Sequence, residues 1–177
     1  KIKFAEVNLN GEVEIDEIKK NITNKTKIIA ITHISNVTGA ITPIKKIVDI
    51  AQEKNIPVLI DGTQGAPHLT LDMQDLGCDF YAISCHKMYG PNGLGILYAK
   101  KKWLDLLPPY QGGGGMINEV YKDSISYADT PTKFEAGTMQ TAEVVAFSES
   151  INFIEKIGMK NILSYENKIL EYGLEQL

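Results

Sequence analysis

The sequence predicts an α/β domain built on a mostly parallel mixed sheet flanked by helices, and two observations carry that prediction. Short apolar runs bounded by turn residues alternate with segments of helical periodicity, the order in which crossover helices join parallel strands. The chain also has material for one substantial core, with 44% of its 177 residues hydrophobic and 23% charged. A domain of this size buries roughly 70% of its unfolded surface.

The alternation Ile2, Phe4, Val7, Leu9 predicts a strand closed by the turn dipeptide Asn10-Gly11. Thr26 to Thr32 reads as a buried strand. Thr42-Pro43 then opens a helix, threonine as cap and proline in the first turn, that runs to the neighbourhood of Lys54. Pro57 to Ile60 is the next buried strand, ending on Asp61. A helical turn over Asp72 to Leu76 leads into a strand from Asp79 to Cys85. Parallel strands so connected imply a sheet covered on both faces. The connection His86 to Gly93 is too short for a crossover, so Leu94 to Ala99 is expected to run antiparallel to the strand before it. A loop rich in Pro and Gly follows (Pro108 to Gly115), then a weakly patterned stretch, then helices over Thr141 to Ile157 and Met159 to Leu177, with Gly158 as terminator between them. The chain starts inside a strand pattern and stops inside helical spacing (Ile162, Tyr165, Ile169, Tyr172), as expected of the middle of a longer protein.

Composition narrows the function. All 18 basic side chains are lysine, so nothing here supplies the bidentate grip of arginine on a carboxylate or phosphate. A net charge of −4 argues against nucleic-acid binding, and Lys100-Lys101-Lys102 reads as a solvated surface. No apolar run approaches the roughly 20 residues of a membrane span. Two cysteines and no signal peptide point to a reducing cytoplasm. The spacing Cys78, Cys85, His86 is not a zinc pattern. Gly112 to Gly115 lacks the Lys-Ser or Lys-Thr of a phosphate loop and reads as a flexible loop. Ser84 and His86 lack the G-x-S-x-G elbow of a hydrolase.

Ligands of open α/β sheets bind at the carboxyl ends of strands. His33, Ser35 and Asn36 follow the first buried strand, Asp61 and Gln64 the second, and Ser84, His86 and Lys87 the third. Lys87 is either a surface lysine or an amine at the end of an apolar strand, where loss of water favours the neutral form that attacks a carbonyl. Asp61 is either a cap in a strand-to-helix turn or a buried carboxylate that needs donors. Together they suggest pyridoxal phosphate, which takes a lysine at its aldehyde and an acid at its pyridine nitrogen. Its phosphate needs donors, and Ser84 and His86 are placed to supply them.

The stretches Thr32-His-Ile-Ser-Asn36-Val-Thr-Gly39, Asp61-Gly-Thr-Gln64, Cys78 through Ser84-Cys85-His86-Lys87 to Tyr98, and Phe134-Glu-Ala-Gly-Thr138 resemble, in the same order, the cysteine desulfurases of the SufS-like branch. These belong to the class V aminotransferase group with the fold-type I architecture, and the likeness covers the whole chain. The resemblance implies that Lys87 carries pyridoxal phosphate as a Schiff base and moves the Cα proton, and that Asp61 pairs with the pyridine nitrogen. It further implies that Gln64 bonds the ring hydroxyl, Ser84 and His86 bond the phosphate, Asn36 faces the cofactor, and Thr138 reaches the phosphate of the neighbouring subunit in a homodimer. Residues 1–157 then form part of the large, cofactor-binding domain, and residues 158–177 begin a helix leading towards a small domain. The implied reaction removes sulfur from L-cysteine, leaves L-alanine and loads an enzyme persulfide for a sulfur-acceptor protein in iron-sulfur cluster assembly. The persulfide cysteine and the arginine for the substrate carboxylate belong, in the family, to a carboxyl-terminal part outside these residues, so the 177 residues are expected to bind better than they catalyse. Other readings are a selenocysteine lyase, an aminotransferase, a kynureninase-like hydrolase, or a catalytically silent module. Cys85 replaces the glycine usual in the family, either as a packing substitution or as a group that crowds the turn. Cys78 reads as a small buried hydrophobe.

Overall fold

A computed structural model describes residues 1–177. Four strands form the main sheet in the order β1 (Ile29–Thr32), β2 (Val58–Asp61), β3 (Phe80–Ser84), β4 (Gly95–Ala99). The first three are parallel, and β4 returns antiparallel to β3, with Phe80 opposite Ala99 and Ser84 opposite Gly95. This is the mostly parallel mixed sheet that the alternation of runs predicts, and the short return after Lys87 sets the direction of β4 as expected.

The helices are α1 (Ile15–Asn21), α2 (Ile44–Glu53), α3 (Met73–Leu76), α4 (Lys101–Leu106), α5 (Thr141–Ile157) and α6 (Met159–Gln176). On α2 the residues Ile44, Ile47, Val48 and Ala51 recur at three- and four-residue steps, so one helical face is apolar, and all four are buried. That face packs on Val58, Ile60 and Tyr81 to make the core. Full burial of each isoleucine or valine among them is worth about 1.5–3 kcal/mol. The Asp72 side chain caps α3 by accepting from the backbone N–H groups of Gln74 and Asp75, and Gly77 ends it at φ +67°. Gly158, at φ +86°, separates α5 from α6 as its sequence position implies.

Several expectations are corrected. The stretch Ile2 to Leu9 forms no strand: only Val7 bridges Val13 across the Asn10-Gly11 turn, and Ile2, Phe4 and Leu9 are exposed. Alternation specifies a strand only where a neighbouring strand offers hydrogen bonds, and none lies beside these residues. Thr42 does not cap α2; the residue before the helix is Pro43, with no side-chain cap bond, while the Thr42 N–H donates to the His33 carbonyl and buries its side chain. The lysine run is not only a solvated surface, because Lys101 and Lys102 open α4. The weakly patterned stretch contains a hairpin, β5 (Ile117–Val120) paired with β6 (Ile125–Tyr127). The glycine loop is pinned, since a Cβ on Gly113 would lie 2.9 Å from the Gly137 nitrogen, and the Gly137 N–H donates to the Gly114 carbonyl at 2.9 Å.

The two faces of the sheet are unequal. Ile31, Ile60, Tyr81 and Tyr98 share one face by register, and α2 packs there. Ile83, on that same face, lines an apolar pocket with Ile151 and Ile154 of α5. The opposite face carries Thr32, Asp61, Ala82 and Leu97. Trp103 of α4 shields Phe80 there at a ring separation of 6.0 Å, but Leu97 is 58% exposed. Coverage of both faces is therefore incomplete within these residues, because α2 and α5 lie on one side.

Asp79 holds the start of β3. It is 4% exposed and accepts hydrogen bonds from the Val58 N–H at 3.0 Å and the Trp103 indole at 2.7 Å. Burial alone would raise this carboxyl, but those two donors and Lys100 hold it below the usual carboxylate range.

Candidate active site

The parallel register brings three strand ends to one edge: Thr32 lies beside Asp61, and Asp61 beside Ala82. Asp61 is the last residue of β2 and is exposed. Its Oδ1 accepts from the Thr63 N–H at 3.0 Å, which makes a side-chain-closed turn in place of either the helix cap or the buried carboxylate considered from sequence. The turn is tied on both sides. The His33 N–H donates to the Asp61 carbonyl and the Gly62 N–H to the Ala82 carbonyl, each at 2.9 Å. Gln64, half-buried, rides on the same turn.

β3 delivers the second turn. After Ser84 the chain makes one turn of 3-10 helix, Cys85–Met88, and reverses through Tyr89 in the left-handed region at φ +60°. The Gly90 N–H donates to the Cys85 carbonyl at 3.0 Å, and the Ser150 hydroxyl of α5 donates to the Tyr89 carbonyl at 3.0 Å. Gly90 packs so tightly on α5 that a Cβ there would fall 2.6 Å from Phe147. Lys87 is thus half-buried on an anchored turn, and it takes part in none of the ion pairs of the molecule. Ser84 Oγ and His86 Nδ1 lie 2.8 Å apart, so one imidazole nitrogen is oriented by the serine and Nε2 is left for an external partner.

Cys85 is fully buried, and burial pushes its thiol up, so it packs inward and does not crowd the face that Lys87 presents. Cys78 is equally buried, its thiol also raised by burial. Asn36 is exposed in the turn after β1, where Ser35 Oγ accepts from the N–H groups of Val37 and Thr38 at 3.2 Å. Thr138 is exposed beside Gly137, on the segment tied to the glycine loop. No hydrogen bond joins it to Asp61, Ser84, His86 or Lys87.

Sequence reasoning missed one member of this neighbourhood. His33 stands out as a strand-end residue, but its partner is Tyr81, inside β3: His33 Nδ1 and the Tyr81 hydroxyl are 2.8 Å apart, both residues buried. The one available signal was a tyrosine in an otherwise apolar strand.

With this geometry in place, residues 1–177 match the family described as Aminotransferase class-V. The chain belongs to the class V aminotransferase family. Its relatives include a probable cysteine desulfurase of Staphylococcus epidermidis, 46% identical over 99% of this chain and 43% of the relative. A cysteine desulfurase of Yersinia pseudotuberculosis is 41% identical over 99% of this chain and 44% of its own length. Among solved structures, the apo cysteine desulfurase of Thermococcus onnurineus superimposes with a TM-score of 0.93 at 31% identity, covering 99% of this chain and 44% of that one. The chain therefore spans less than half the length of the relatives it matches. The main sheet and its strand-end turns are the class V architecture of pyridoxal-phosphate fold type I.

Proposed function

We propose that this chain is the cofactor-holding part of a pyridoxal-phosphate-dependent cysteine desulfurase, which takes sulfur from L-cysteine and leaves L-alanine. The observation that supports this reading most directly is Lys87, free of ion pairs on an anchored turn, at the same sheet edge as Asp61 and the Ser84–His86 pair. The donor set fits the group. One amine is left for an aldehyde, and the exposed Asp61 carboxylate uses only Oδ1 within the chain. Two polar side chains already in contact suit a phosphate. When bound, pyridoxal phosphate supplies a protonated ring that accepts the electrons released as a bond to the substrate Cα breaks.

In this reading Lys87 Nζ would hold the cofactor at its aldehyde, and the same amine would take and return the substrate Cα proton. Asp61 holds the proton on the pyridine nitrogen, and Gln64 bonds the ring hydroxyl. Ser84 and His86 fix the phosphate, while Asn36 faces the ring from the β1 turn. Thr138 reaches the phosphate of a neighbouring subunit, which makes the protein a homodimer. Residues 1–157 belong to the large domain, and residues 158–177 lead towards a small one. The sulfur passes to an enzyme thiol as a persulfide and then to an acceptor protein for iron-sulfur cluster assembly. Cys78 and Cys85 are both 0% exposed, so neither is that thiol. Two free, buried cysteines suit a reducing cytoplasm, and no helix is long and apolar enough to cross a membrane.

The test uses the full-length protein. Release of alanine from cysteine, and of sulfide once an added dithiol reduces the persulfide, is the expected result, lost in Lys87→Ala together with the visible absorbance of bound cofactor. If neither product forms in the wild type, the desulfurase reading is wrong; if Lys87→Ala keeps the band, the assignment of Lys87 is wrong.

A further inference from the structure

The turn that carries Asp61 and Gln64 has an unusual floor. Tyr81 is fully buried beneath it, and its phenol ring fills the space where side chains at Gly62 and Gly65 would be. A Cβ on Gly62 would lie 1.8 Å from Tyr81 Cε1, and one on Gly65 would lie 2.7 Å from the Tyr81 hydroxyl and 2.8 Å from His33 Nδ1. Turn backbone and phenol are therefore in direct contact at two points. The imidazole meets the phenol edge-on, with ring centroids 5.8 Å apart at 83°.

The direction of the hydrogen bond follows from the His33 tautomer. The Tyr81 hydroxyl bonds only to His33 Nδ1, and no buried side-chain polar atom lacks a partner. With His33 carrying its proton on Nε2, Nδ1 accepts from the Tyr81 hydroxyl, and this is the tautomer that gives the buried phenol proton an acceptor. Burial lowers His33 and raises Tyr81, so in both residues it favours the neutral form. A phenylalanine would fill the same volume without needing a buried acceptor. The hydroxyl's distinct contribution is to fix the height and tilt of the ring on which the turn rests.

We propose that the Tyr81–His33 pair is a positioning device that sets where Asp61 and Gln64 project towards the pyridoxal phosphate. The inference rests on the cofactor reading above and extends it to two residues that act only through the Asp61–Gly65 turn. His33 is fastened to that turn a second time, since its N–H holds the Asp61 carbonyl.

The test is a titration of the full-length apoprotein with pyridoxal phosphate, followed by the visible band, its pH dependence and the thermal midpoint without cofactor. Tyr81→Phe keeps the packing and removes the bond; it is expected to weaken cofactor binding about tenfold, the factor set by loss of one buried hydrogen bond. It also shifts the pH at which the band changes, because the Asp61 carboxylate no longer sits at its set distance. His33→Leu reproduces both effects. His33→Asn, which keeps an acceptor near Nδ1, recovers most of the binding. Unchanged affinity and an unchanged band titration in Tyr81→Phe overturn the proposal, as does equal loss in His33→Asn and His33→Leu. If Tyr81→Phe does not fold, the two His33 variants decide. A wild-type protein that shows no band at all sinks the cofactor reading itself, an outcome distinct from a wild type that binds and a Tyr81→Phe that binds equally well.

Discussion

Two turns present the candidate cofactor groups, and they are held in different ways. The Asp61–Gly65 turn is supported from within the sheet: His33 follows β1, Tyr81 is in β3, and two glycines close directly on the phenol. The Lys87 turn is supported from outside the sheet, by Phe147 against Gly90 and by Ser150 on the Tyr89 carbonyl, both from α5. The first turn therefore depends on strand register and the second on the docking of a helix some sixty positions away, with a separation of 61 for the Ser150 bond. Sheet pairing and helix docking can fail separately, so one cofactor anchor can be loosened without the other.

The largest effect is expected from Phe147→Ala in the full-length protein. It removes the buried ring behind Gly90 and costs about 3–5 kcal/mol by denaturant unfolding. Cofactor retention should fall because Lys87 loses its backing, while the Asp61 turn keeps its hydrogen bonds. Loss of structure at both turns together would show that they are not separable. Gly62→Ala attacks the other turn: the methyl overlaps a fully buried phenol, whose ring cannot move aside, and the cost should be about 3 kcal/mol. Comparison with Gly90→Ala sharpens the contrast. There the Cβ meets the edge of Phe147 at 2.6 Å and the Cys85 carbonyl at 2.7 Å, and strain of about 1–3 kcal/mol should appear in the Lys87 turn alone. Ser150→Ala removes the hydroxyl that bonds the Tyr89 carbonyl at 3.0 Å and, more weakly, the Ala146 carbonyl at 3.4 Å, and should lower stability by about 1 kcal/mol.

The smallest effect is one of pH, and it reports on the Asp61 side only. Burial lowers the folded-state pKa of His33 below its ordinary 6.5. The unfolded chain therefore takes up a proton first as pH falls. The stability that neutral His33 contributes is complete above the unfolded value and is lost as pH drops from there through the folded value. Tyr81, Cys78 and Asp61 share this neighbourhood, and Tyr81 stays protonated throughout. Unfolding free energy measured at descending pH should fall more steeply in the wild type than in His33→Asn; parallel curves would remove His33 as the cause.

How much of this was legible depended on whether the signal was local. Asp61, Ser84, His86 and Lys87 could be placed because each ends a short apolar run, and such runs announce buried strands. The antiparallel return of β4 followed from the length of one connection. The N-terminal alternation, by contrast, misled, because a period of two says which residues could face a neighbour and not whether a neighbour is there. The β5–β6 hairpin escaped notice because Lys122-Asp123 is not a strong turn dipeptide and its strands expose Val120 and Ile125. The glycine loop has the local signature of a flexible segment, and nothing local reveals that Gly113 lies against Gly137.

By itself, then, the sequence determined the α/β class, the order and directions of the four strands of the main sheet, and the strand ends where Asp61, Ser84, His86 and Lys87 stand, since all of these follow from local periodicity, the length of one connection and the chemistry of single side chains. Only the tertiary structure decided what those turns rest upon. The Tyr81 hydroxyl meets His33 across 48 positions because β2 and β3 pair in the register that sets Ile60 beside Tyr81. A register is chosen by the packing of the whole sheet on α2, and no window of neighbouring residues contains it.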